Sequence, residues 1–188
     1  MKRGIYVVVL TFVLVQGYAH SERWDFDQSS WTVLMKQAYN NDTLGVTQFV
    51  KLGISINLKN KAGWTALKVA TKKGLLKTVE FLLRNGADPN LSDKDMMTPL
   101  MEASLHNELK IAQMLIRKGA DPNRSNVSGW TALMGATSFG DIQLMELLIG
   151  SGANIHAKRT VDGYTALMLA RYGKDQQKID CLIRKGAE

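Results

Sequence analysis

The sequence has few residues that could build a catalytic or metal site. Its 188 residues include one cysteine, Cys181, and three histidines. A single cysteine permits no disulfide within the chain, and His20, His106 and His156 share no motif. HExxH, GxSxG, paired CxxC and phosphate-binding glycine loops do not occur in the sequence. We therefore predict a protein that catalyses no reaction and uses no metal or cofactor.

The first nineteen residues differ from the rest of the chain. Lys2 and Arg3 precede an uncharged run over residues 5–15, and Gly17-Tyr18-Ala19 follows with small residues at its two ends. This pattern is typical of a secretory signal peptide that is cleaved after Ala19. The alternatives are a membrane anchor and a buried helix, but a bilayer span takes about 20 apolar residues and Gln16 interrupts the run. We expect a periplasmic or secreted protein without stable membrane insertion, whose mature chain begins with a polar segment at 20–29.

The chain is basic, with a formal net charge of +7 that falls to +5 without Lys2 and Arg3. A lysine cluster spans residues 59–77, which contain no acidic residue: Lys59, Lys61, Lys68, Lys72, Lys73 and Lys77. Such a run is usually a solvated face. The alternative is a surface for an acidic patch on a partner protein or for an anionic envelope polymer. Nucleic acid fits the charge but not an exported protein.

A unit of about 33 residues recurs five times. The stretch TPLMEA from Thr98 returns as TALKVA from Thr65, TALMGA from Thr131 and TALMLA from Thr165, and more faintly as TVLMKQ from Thr32. Glycines at 53, 86, 119, 152 and 186 keep the same spacing. This period predicts a protein of stacked repeats, each of which buries the apolar face of its neighbour.

Each unit is predicted to be a pair of helices. The lead threonine precedes an apolar run that its hydroxyl can cap, and a second apolar run ends at a glycine suited to the left-handed conformation. The turn GADPN follows at 86–90 and at 119–123. Cys181 lies beside Leu182 and Ile183 in the last second helix, so we predict a buried thiol. Extra polar residues in the first and last units predict capping repeats.

The period, the TPL start and the GADPN ending resemble the ankyrin repeat over about residues 30–188. The resemblance implies an all-α solenoid of five helix-turn-helix units with β-hairpin-like loops, at about 30–59, 60–92, 93–125, 126–159 and 160–188. Methionine or lysine replaces the histidine that hydrogen-bonds between repeats in this family, at Met35, Lys68, Met101, Met134 and Met168. Met96 replaces the glycine found at Gly63, Gly129 and Gly163, which predicts an altered hairpin before the third unit.

The resemblance also implies a concave partner-binding face, formed by the hairpin tips and by the exposed side of each first helix. Its predicted residues precede the lead threonines or end the first helices: Trp31, Trp64, Met97, Trp130 and Tyr164, then Lys72, Lys73, Leu105, His106, Phe139 and Tyr172. Aromatic side chains are common energetic centres of interfaces, and the lysines would steer an acidic partner. The alternative is that the tryptophans pack against neighbouring hairpins and stiffen the stack.

With its signal-like start, the chain is similar to the small periplasmic ankyrin proteins of bacteria. This similarity implies a monomeric, non-enzymatic domain that binds another protein. One expected role is self-protection, in which the domain occludes an envelope enzyme such as a peptidoglycan peptidase. Two alternatives stay open, an adaptor that supports a periplasmic catalase during peroxide stress and a secreted effector that binds host proteins.

Overall fold

The computed structural model describes residues 31–188, which form ten α-helices. The expected cleavage after Ala19 and the polar segment at 20–29 lie outside these residues. In chain order the helices are α1 Val33–Tyr39, α2 Thr43–Lys51, α3 Ala66–Lys72, α4 Leu76–Arg84, α5 Pro99–Leu105, α6 Leu109–Arg117, α7 Ala132–Phe139, α8 Ile142–Gly150, α9 Ala166–Tyr172 and α10 Gln176–Arg184. Consecutive pairs make units 1 to 5, and the two members of a pair are called the first and second helix. The predicted all-α repeat solenoid is confirmed.

The repeated threonines and glycines set the helix ends. Each lead threonine occupies the N-cap of a first helix, where its hydroxyl oxygen accepts the backbone N–H three residues later at 3.2–3.3 Å. The glycines that follow the second helices have φ between 85° and 94°, a conformation that costs other residues free energy. Both predicted boundary signals are confirmed.

Leucines in register form the core of the stack. The leucine two positions after each lead threonine is at most 1% exposed, and the second helices bury a matching row. The members are Leu34, Leu67, Leu100, Leu133 and Leu167 in the first row, and Leu82, Leu115, Leu148 and Leu182 in the second. Because each unit covers the apolar face of the previous one, burial continues along the whole stack.

Small residues bring neighbouring first helices close together. A Cβ added at Gly135 of α7 would lie 3.2 Å from the Ser104 Cβ of α5, and Ala103 and Ala136 are completely buried. Neighbouring first helices contact each other more extensively than neighbouring second helices do. Neighbouring first helices therefore pack more closely than neighbouring second helices, as the inner side of a curved stack requires, and we call the side that they line the concave face.

The hairpins between units share one hydrogen-bonding arrangement. In the first three hairpins a side-chain oxygen of Asn60, Asp93 or Asn126 accepts the backbone N–H groups two and four residues later at 2.9–3.0 Å. Arg159 occupies the corresponding position in the last hairpin, where Asp162 accepts from the N–H of Tyr164 at 3.1 Å instead. Backbone N–H groups at 94, 127 and 160 donate to carbonyl oxygens of the preceding hairpin at 3.0–3.1 Å. The hairpins thus form a continuous ladder.

The predicted alteration of the hairpin at Met96 is wrong. Met96 has φ of 61°, in the same left-handed region as Gly63 at 83° and Gly129 at 76°. Asp93 holds this hairpin as Asn60 and Asn126 hold theirs. The ladder imposes the conformation, and an unbranched side chain at Met96 adopts it at a cost of about 1–2 kcal/mol.

Asparagines supply a polar network between units. Asn57 accepts the N–H of Asp88 at 2.9 Å and donates to the carbonyl oxygen of Gly86 at 3.4 Å. Asn90 and Asn123 make the same two bonds, each one unit further along. The stack therefore has inter-unit hydrogen bonds at its turns, although methionines occupy most of the family's histidine positions.

The last unit buries Cys181 and exposes apolar side chains on its outer side. Cys181 is 1% exposed, so its predicted burial is confirmed. Met168 is 44% exposed and Ile183 is 49% exposed, because no further unit covers them within the described chain. The helices of residues 31–188 have at most 9 residues each, which is too few to span a bilayer.

Candidate functional site

Two rows of residues line the concave face. The first consists of the last residues of the five first helices, and the second consists of the residues before the lead threonines. They are Tyr39, Lys72, Leu105, Phe139 and Tyr172 in the helix-end row, and Trp31, Trp64, Met97, Trp130 and Tyr164 in the hairpin row. Lys73 and His106 directly follow two of the helix-end residues and are exposed. All eleven predicted site residues therefore lie on these rows or next to them.

The hairpin row packs mostly within the protein. Trp31 meets Tyr39 edge to face, with ring centroids 5.3 Å apart. The Arg159 guanidinium lies 5.1 Å from the ring centroid of Trp130, and the Met97 sulfur accepts from the side-chain amide of Asn126 at 3.4 Å. These residues are half-buried. The packing role considered for the tryptophans is therefore realised, and a contribution to binding stays a prediction.

Tyr164 differs from the other members of the hairpin row. It is 38% exposed, and Arg159 reaches its ring from 5.9 Å while pairing with Asp162 at 2.7 Å. The cation covers Tyr164 less closely than it covers Trp130. This tyrosine is therefore the member of the hairpin row that is most available to a partner.

Lys68 lies inside the stack and links two units. Its side chain is 3% exposed and forms an ion pair with the Asp93 carboxylate of the next hairpin. The second carboxylate is Glu102 on α5, whose Oε2 lies 3.8 Å from the Lys68 ammonium. Their side chains are 6% and 8% exposed, so the lysine charge is matched within the protein. An ion pair thus replaces the family's histidine link between the second and third units.

Glu102 also ties the rim of the face together. Its Oε1 lies 3.7 Å from the Lys72 ammonium and 3.5 Å from His106 Nε2. The Lys72 ammonium lies 5.0 Å from the centroid of the Trp64 ring, and the Lys73 ammonium lies 4.4 Å from that of Tyr39. Both lysines that were predicted to steer a partner therefore contact aromatic rings of the face itself.

Carboxylates lie close to the lysine cluster in the folded protein, although residues 59–77 contain none. Lys68 and Lys72 meet carboxylates of the following unit, and Lys59 donates to the carbonyl oxygen of Ser92 at 2.8 Å. Sequence reasoning missed Asp93 and Glu102. The available signal was their position, 25 and 34 residues after Lys68, where the next stacked unit brings them alongside it.

The second half of the face exposes several large apolar side chains beside the Arg159–Asp162 pair. Phe139 is 61% exposed and Tyr172 is 80% exposed at the ends of α7 and α9, which pack side by side. Val127 and Val161 at the adjacent hairpin tips are 59% and 65% exposed. Sequence reasoning missed both valines, although they stand four residues before their lead threonines, as Lys61 and Lys94 do in the first half.

Comparison with known proteins agrees with this architecture. A family model described as "Ankyrin repeats (3 copies)" matches residues 9–93, 34–126 and 100–188. Together these matches cover nearly the whole chain. A search of curated proteins finds no match.

Proposed function

Because the chain belongs to the ankyrin-repeat family, we propose that its concave face holds another protein and inhibits it. Ankyrin repeats form protein–protein interaction domains and are generally non-enzymatic binding modules. A stable interface of this kind covers about 800 Å² on each partner, which is enough to close the entrance of an active site. Inhibition by occlusion therefore needs no chemistry from the ankyrin domain.

In this proposal the chain is exported to the periplasm and its target is an envelope enzyme, such as a peptidoglycan peptidase. The support for export is the basic start, the uncharged run and the small residues that end at Ala19. A protein that leaves the cytoplasm meets the enzymes that cut the cell wall, and an inhibitor there would protect the cell that makes both. N-terminal sequencing of the mature protein tests the predicted export. A chain that begins at His20 supports it, and a chain retained in the cytosol with Met1 opposes it.

The carrying observation is the exposure of Phe139 and Tyr172. The fold leaves these large apolar rings exposed to water. A partner that covers them removes apolar surface from water, which favours binding. Both rings lie at the ends of neighbouring helices, so a partner can cover them together. Truncation of such anchors costs about 2–4 kcal/mol of binding free energy, or roughly 30- to 1,000-fold in affinity.

The experiment compares three forms of the immobilised protein in envelope extract. We expect wild type and Leu44→Ala to retain the same partner, and Phe139→Ala with Tyr172→Ala to lose it. Leu44 is the matched control because it is 75% exposed on α2, a second helix. The purified partner is then assayed with and without stoichiometric ankyrin protein, and its activity should fall.

Three results would redirect the proposal. Equal retention by the double variant would place the site elsewhere on the molecule. A bound enzyme that keeps its full activity would indicate an adaptor, and a bound catalase would identify which kind of adaptor. Retention of proteins from a host extract only would support the effector alternative.

A further inference from the structure

We propose that the partner contributes a segment with acidic side chains at one end and apolar side chains at the other, and that this segment lies along the face in one orientation. The inference rests on the proposed use of the concave face and adds the chemistry of what binds there. It depends on the division of the face into two parts. The basic half comprises Lys61, Lys72, Lys73 and Lys94, and the apolar half comprises Val127, Phe139, Val161, Tyr164 and Tyr172.

The basic half carries one more lysine than it has carboxylates. Four carboxylates lie in this region: Asp93 and Glu102 inside the face, Asp95 at a hairpin tip, and Glu108, which lies beside Gly74. Five lysines oppose them: Lys61, Lys68, Lys72, Lys73 and Lys94. Because the buried carboxylates face Lys68 and Lys72, the outward positive field comes mainly from Lys61 and Lys94 at the exposed hairpin tips. An acidic segment is complementary to that field.

The apolar half is large enough to be an interaction site. Phe and Tyr side chains each bury about 150–250 Å² in interfaces, so the exposed fractions of Phe139 and Tyr172 leave roughly 200–350 Å² uncovered. Val161 and Tyr164 add to this area. Exposed apolar patches of about 300–600 Å² on monomers are often functional. Aliphatic or aromatic partner side chains therefore fit this half.

The stack fixes the distance between the two halves. Packed helices lie about 8–10 Å apart, so Lys72 on α3 is roughly 16–20 Å from Phe139 on α7 and roughly 24–30 Å from Tyr172 on α9. An extended segment covers these distances in about 5–9 residues. A helical segment needs roughly 11–20 residues. The partner segment must hold its acidic and apolar groups at one of these separations.

A random library of 20-residue peptides displayed on phage tests the proposal on the full chain. Enriched peptides should carry acidic residues and apolar residues at one of the two separations. A labelled synthetic copy of an enriched peptide then reports affinity by fluorescence anisotropy. We expect Phe139→Ala with Tyr172→Ala to weaken binding at least 30-fold at low and at high salt.

The charge variants separate the two halves. Lys72→Glu with Lys73→Glu should weaken binding at least tenfold at low salt, with a smaller loss at high salt because salt screens exposed charges. Lys61→Glu with Lys94→Glu repeats this test at exposed hairpin tips, where the ring contacts of Lys72 and Lys73 are left intact. The matched controls are Lys110→Glu with Lys118→Glu, at exposed positions in and after α6, and Leu44→Ala. Both controls should stay within twofold of wild type.

Several outcomes would overturn the inference: no enriched peptide, enriched peptides without one of the two chemistries, or peptides that ignore either pair of variants. If any polyanion displaced the peptide as well as an unlabelled copy does, the basic half would be attracting negative charge without specificity. These outcomes are independent of enzyme inhibition. Peptides that behave as expected, together with an uninhibited partner, would keep the two-part surface and reject only the inhibitor role.

Discussion

Replacement of Lys68 by methionine should destabilise the protein by about 3–5 kcal/mol, the usual cost of breaking a buried ion pair. The variant places at this position the residue that the next unit carries, Met101, which is 1% exposed. Methionine fits the space, so the loss of stability would come from the buried carboxylates that lose their positive partner. Asp93 and Glu102 would stay buried without the ammonium group that faces both of them.

The next interface of the same stack supplies the repair. Asn126 occupies the position of Asp93 one unit later, and its side-chain oxygen makes the same two bonds to backbone N–H groups at 2.9–3.0 Å. Asp93→Asn therefore keeps the hairpin and removes the buried charge. We expect Lys68→Met with Asp93→Asn to recover to within about 1 kcal/mol of wild type, because apolar replacement of a whole buried pair is often neutral. Glu102 keeps Lys72 and His106 as partners.

Urea unfolding followed by far-UV circular dichroism measures these differences through the shift in midpoint at constant slope. Lys77→Met is the matched control, since Lys77 is exposed on α4 and its replacement should change stability by less than about 0.5 kcal/mol. The reasoning fails if Lys68→Met alone costs less than about 1 kcal/mol. It also fails if the double variant is no more stable than Lys68→Met.

The fold was predictable because its signals are local and recur. A capping threonine, an apolar run and a glycine in the left-handed conformation each act within one helix, and five copies at the same spacing agree. Stacking then follows, because each unit leaves an apolar face that only a neighbour can cover. Buried Cys181 was predictable for the same reason, from its place in the repeated core pattern.

The charges were harder to predict because burial depends on the following unit. Lys68 and Lys72 are four residues apart on one helix, yet only Lys68 is enclosed by the next hairpin. The absence of acidic residues from one stretch of sequence therefore did not predict the electrostatic environment of its lysines. Met96 shows the same limit, since the hairpin ladder holds it at a positive φ that its side chain disfavours.

The repeat register predicted a face but not which of its rings are exposed. Side chains of other residues cover the rings of Trp64 and Trp130, and their place in a binding site stays a prediction. The most exposed rings of the face are instead those of Phe139 and Tyr172. Which ring is covered depends on single cations such as Arg159, and the repeat pattern carries no information about those.

Three further variants test the stack itself. Met96→Gly should raise stability by about 0.5–1 kcal/mol, because glycine relieves the positive φ of 61° at some entropic cost, and thermal unfolding measures the gain. Cys181→Ser should cost about 1–3 kcal/mol if its hydroxyl is left unpaired, and native Cys181 should react slowly with a thiol reagent. Truncation after Gly152 removes the last unit. Met134 is 1% exposed beneath that unit, whereas Met168, its counterpart in the last unit, is 44% exposed. The truncated chain should therefore expose Met134 to a similar extent together with the leucines beside it, and melt at a lower temperature or self-associate. A truncated chain that stays monomeric and equally stable would show that the last unit does not cap the stack.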